Sequence, residues 1–104
     1  MAFLILKLKQ NVREPYAIYN LEKFGAWPFR KRHLIVGTPD TDKSDINLMN
    51  VSRTIKESFG EIVKTRAGWQ YKFVDNKITF EGIFNDGLRI PVFDNVIEFR
   101  EELD

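Results

Sequence analysis

A chain of 104 residues with 43% apolar and 30% charged residues matches ordinary globular usage, which excludes a disordered or fibrous architecture and leaves room for one hydrophobic core. The absence of Cys excludes disulfides, thiolate metal sites and cysteine nucleophiles. A net charge of only +1 argues against a protein that coats nucleic acid with its whole surface.

The charge is nevertheless uneven along the chain. Residues 1–38 hold seven Lys/Arg against two acids, a local excess of +5, whereas residues 39–104 hold nine basic and thirteen acidic residues, a local −4. Aromatic residues make up 13% of the chain, with nine Phe, an ample supply for a small core that has no covalent staple.

In chain order, the apolar run from Ala2 to Leu6 is interrupted by Lys7 and Lys9 well short of a membrane span and lacks a basic leader, so it reads as a first strand. Asn11 as an N-cap and Pro15 in a first turn, followed by Ala17, Ile18, Leu21 and Phe24 at helical spacing and by Gly25, predict a first helix. Ala26-Trp27-Pro28-Phe29 predicts a loop. His33 to Val36 predicts a second buried strand, joined to the first by a right-handed parallel βαβ crossover. The N-cap residues of Thr41–Asp45, with Leu48, Val51, Ile55 and Phe59 before Gly60, predict a second helix.

Beyond Glu61 the apolar period becomes two. Strands are expected at Glu61–Thr65, at Trp69–Phe73, from Lys77 to Phe84, from Leu88 to Phe93 and from Val96 to Arg100. Turns are expected at Arg66-Ala67-Gly68, Asp75-Asn76, Asn85-Asp86-Gly87 (a hairpin signal) and Asp94-Asn95. Pro91 cannot donate to a ladder, which places its strand at an edge or a bulge. The expected fold is therefore a single small α+β domain over residues 1–104, an N-terminal βαβα segment followed by a C-terminal antiparallel meander, with two helices packed on one mixed sheet.

The sharpest candidate site is Trp27-Pro28-Phe29-Arg30-Lys31-Arg32-His33, where rings run into three cations and the only histidine. Cations neutralise phosphates and rings stack on unpaired bases, so this mixture suits nucleic acid or a nucleoprotein, with Arg66 as a further contact. The competing reading makes Trp27 and Phe29 plugs that close the core. A second row, Trp69, Tyr71 and Phe73, would form a stacking platform if exposed and an ordinary half-buried strand if not.

Asp40, Asp42 and Asp45 lack the further ligands and central Gly of a calcium loop and are better explained as helix caps. Pro39-Asp40 with Asp75-Asn76-Lys77 resembles pieces of a metal-dependent nuclease only by coincidence, because Asp75 and Lys77 fall at a turn. His33 has no identifiable nucleophile or orienting carboxylate, and Gly37-Thr38-Pro39 is no phosphate loop. No catalytic residue, metal or cofactor is expected. The leading expectation is a non-enzymatic, cytoplasmic binding module for nucleic acid or a nucleoprotein, with no membrane partner. The alternative is a protein-binding adaptor or inhibitor, homodimeric in one form, acting through a sheet edge or aromatic face.

Overall fold

The computed structural model describes residues 1–25, 29–52 and 57–102. Among the described residues there is no helix; the chain is all-β, with nine strands in two sheets, which corrects the expected α+β class and its two helices. The strands are β1 (Ala2–Leu8), β2 (Ala17–Asn20), β3 (His33–Gly37), β4 (Ile46–Asn47), β5 (Gly60–Thr65), β6 (Gly68–Asp75), β7 (Ile78–Ile83), β8 (Arg89–Val92) and β9 (Asn95–Glu101). They form two compact units, one of residues 1–32 with 85–104 and the other of residues 33–84.

The first unit holds an antiparallel sheet of order β2-β1-β9-β8. Strand alternation sends Ala2, Leu4 and Leu6 of β1 to the same face as Ile97 and Phe99 of β9 and Ile90 and Val92 of β8, and all seven are buried. Burial of each large apolar side chain contributes about 1.5–3 kcal/mol, so this face carries most of the unit's stability. The expected first helix is replaced by β2. A helix would place Ile18 and Leu21 on one face, three residues apart, yet Leu21 is fully buried and Ile18 is 60% exposed. That is strand alternation, and Leu21 N–H continues the ladder to Ala2 O at 2.9 Å. Pro91 lies in β8 at the sheet's edge, as its missing donor requires.

The second unit holds a sheet of order β4-β3-β5-β6-β7, antiparallel except for the short parallel pair β3–β4. Leu34, Val36, Ile46, Ile62, Trp69 and Phe73 are buried. Val36, Gly60 and Phe73 stand in one row, and the Phe73 ring lies where a Cβ on Gly60 would be, so only Gly lets the ring cross the β5 backbone there. The expected parallel crossover is absent: β1 and β3 belong to different sheets, and β3 pairs antiparallel with β5. The expected second helix is also corrected where it can be followed. Ile46 and Leu48 alternate inward as β4 and its continuation, Met49 is exposed, and Asn50 takes a left-handed φ of 56°. Ile55 lies outside the described residues.

The expected turns are largely right in place. Asn76 and Lys77 have φ of 48° and 70°, and Phe93 and Asp94 have 45° and 63°, the backbone of tight primed hairpins. Asn85-Asp86-Gly87 does turn, with Leu88 N–H on Asn85 O at 3.0 Å, but it makes no hairpin, because β7 and β8 lie in different sheets.

Candidate functional site

The basic segment leaves β2 through a pinned loop. Tyr19 of β2 stacks on Phe24 with ring centroids 5.9 Å apart, and Lys31 N–H donates to Phe24 O at 2.9 Å, closing the loop at its base. Gly25 sits at φ 80°, and a Cβ there would stand 2.7 Å from the Phe29 carbonyl oxygen; this position therefore depends on glycine twice over. From this base Phe29 projects into solvent at 83% exposure, and Arg30, Lys31 and Arg32 are all exposed. Phe29 is thus no core plug. Trp27 lies outside the described residues.

The other members of the expected site are placed differently. His33 opens β3 in the second unit and meets Glu61 of β5, with Nε2 and Oε2 2.9 Å apart. An orienting carboxylate therefore exists after all, but both side chains are about half exposed, at 56% and 47%, so water screens the pair. Arg66 occupies the β5–β6 turn, where Thr65 Oγ1 accepts from Ala67 N–H; it belongs to the second unit and not to the frame that holds Phe29.

The row Trp69, Tyr71 and Phe73 is no stacking platform. Trp69 and Phe73 are buried, and the half-buried Tyr71 packs between Phe73 and Phe84 at 5.7 and 4.6 Å. Lys64 covers the Trp69 ring from 5.5 Å. Asp45 caps no helix: its N–H donates to Ile35 O at 2.8 Å and its Oδ2 accepts from Ile35 N–H at 2.9 Å, tying the β3–β4 loop to β3. Among the described residues no group of three or more His, Asp or Glu is placed to hold a metal.

Two features went unforeseen. On the face of the first sheet opposite its core, the buried Glu98 accepts from Arg89 Nε at 2.7 Å and Arg100 Nε at 2.9 Å, with Lys7 Nζ 3.5 Å away. Burial alone would raise the Glu98 pKa, but the hydrogen bonds of Arg100 and Arg89 and the charges of Lys7 and Arg100 outweigh it and lower the value to about 2. Glu98 follows Ile97 in an apolar strand, which signals a buried acid, but Lys7 and Arg89 reach it only through strand pairing that no local pattern reveals. In the second unit, an open groove of about 370 Å³ runs over the non-core face, lined by Glu61, Val63, Gln70, Lys72, Glu81 and Ile83.

Comparison of the chain with protein-family models, curated proteins and solved structures gives no match in any of the three. Among the described residues no helix is long and apolar enough to cross a membrane, which leaves membrane crossing by strands unaddressed.

Proposed function

We propose that this protein is a non-enzymatic binding module that engages nucleic acid through the segment Phe29–Arg32. The observation that carries the reading is the 83% exposure of Phe29, a large ring held outward on a closed loop immediately before three exposed cations. Water gains nothing from a ring so placed, whereas an unpaired base stacked on it removes apolar surface from both partners. Arg30, Lys31 and Arg32 then lie next to the phosphates that flank the stacked base, with the two guanidinium groups able to grip phosphate oxygens in pairs. The contact is small, so the affinity is modest and the sequence preference weak. The reading places the protein in the cytoplasm, with no cofactor.

Fluorescence anisotropy of a labelled single-stranded oligonucleotide tests it. Stacking on one ring contributes about 1–3 kcal/mol, so Phe29→Ala is expected to weaken binding by roughly 5- to 150-fold. Wild-type protein that leaves the anisotropy unchanged, or a Phe29→Ala variant that binds as tightly as wild type, contradicts the proposal.

A further inference from the structure

β7 is an edge strand of the second sheet. Phe84 N–H donates to Trp69 O at 2.9 Å, which fixes the alternation of the β6–β7 ladder. Ile78, Phe80 and Gly82 therefore turn their backbone groups toward β6, and Thr79, Glu81 and Ile83 turn theirs outward. Those outward N–H and C=O groups have no partner among the described residues. Natural edges are blunted by proline, inward charge, bulges or shortness. Of the edge strands, β8 carries Pro91, β2 spans four residues and β4 only two, whereas β7 runs six residues in unbroken register without proline or bulge and with one charge, Glu81. Ile78 and Ile83, at its two ends, are 59% and 43% exposed.

We propose that the protein is a homodimer joined edge to edge through β7, with two copies of Ile78–Ile83 running antiparallel about a two-fold axis at Phe80. A second copy fits because the strand is complementary to itself in this register. Thr79 and the partner's Glu81 exchange backbone hydrogen bonds in both directions, and symmetry repeats the exchange, for about four bonds. Phe80 stands directly opposite the partner's Phe80 at the closer, non-hydrogen-bonded spacing, where ring pairs stabilise a sheet. Ile78 meets the partner's Gly82, over which the partner's Tyr71 ring lies, so the Ile78 side chain packs against that ring. A register centred on Glu81 would set two carboxylates face to face, and one centred on Gly82 would set two empty positions together; both are disfavoured. The product is one continuous sheet across the two copies.

Sedimentation equilibrium with single-cysteine crosslinking tests the proposal, since the chain has no Cys of its own. Wild type is expected to sediment as a dimer at micromolar concentration. Phe80→Cys is expected to form a disulfide-linked dimer under mild oxidation, because directly opposed non-hydrogen-bonded positions fall within disulfide reach. Thr79→Cys and Gly82→Cys are expected to stay unlinked. Thr79→Pro, which removes an outward donor that no bond within the sheet uses, is expected to be a folded monomer. A strict monomer over the whole concentration range, crosslinking that favours Glu81→Cys over Phe80→Cys, or a folded Thr79→Pro that remains dimeric each overturns the proposal. If Thr79→Pro fails to fold, the cysteine pattern decides. None of these readouts involves nucleic acid.

Discussion

Glu98 shows how one side chain gathers charge from three strands. Lys7, Arg89 and Arg100 come from β1, β8 and β9, and they converge on the Glu98 carboxylate only when those strands are paired. Its pKa in the folded protein, about 2, lies below the ordinary 4.5, so the native state favours the ionised form and the stabilisation is complete only above the ordinary value. It is lost as the pH falls from about 4.5 toward 2. Allowing for the partly exposed guanidinium groups, the effect is on the order of 2 kcal/mol. Denaturant unfolding of wild type and Glu98→Gln is expected to show wild type more stable at pH 6, with the gap closing through that window. A gap independent of pH would mean that packing, and not ionisation, sets the role of Glu98.

At the scale of elements, seven strands were legible and two helices were misread, for one physical reason. Where apolar residues strictly alternate, as in Trp69–Phe73, only a strand satisfies the pattern. Ala17, Ile18, Leu21 and Phe24 satisfy a helical spacing by count, but burial follows Leu21 and not Ile18, and the ladder to β1 decides the outcome. Leu48 and Phe59 are buried as a helix would require, but Leu48 N–H pairs with Gly37 O of β3 and Asn50 takes a left-handed φ, so neither Leu48 nor Asn50 starts a helical turn. The basic loop was legible as a loop; its closure by Lys31 on Phe24 was not, because that bond depends on the conformation of Gly25. Gly25→Ala combines a left-handed φ with a 2.7 Å approach to the Phe29 carbonyl, and is expected to cost about 1 kcal/mol or more in unfolding experiments. It should also weaken oligonucleotide binding without removing a charge. Unchanged stability and affinity would show that the loop does not depend on its pinned base.

For the whole molecule, folding redistributes the charge that the sequence separates. The first unit combines the basic N-terminal residues with the acidic last strands, nine Lys/Arg against eight Asp/Glu, and the second balances seven against seven. The excess of the first third therefore does not survive as a basic unit, and the proposed nucleic-acid contact rests on the local run Arg30–Arg32. This makes the salt dependence of binding the most direct test of the proposed function. Each phosphate neutralised on a single strand contributes about −0.7 to the slope of log affinity against log salt, so three cations give a slope of about −2. A slope near −5, as expected if all seven cations of the N-terminal third took part, or no salt-dependent binding at all, would contradict it.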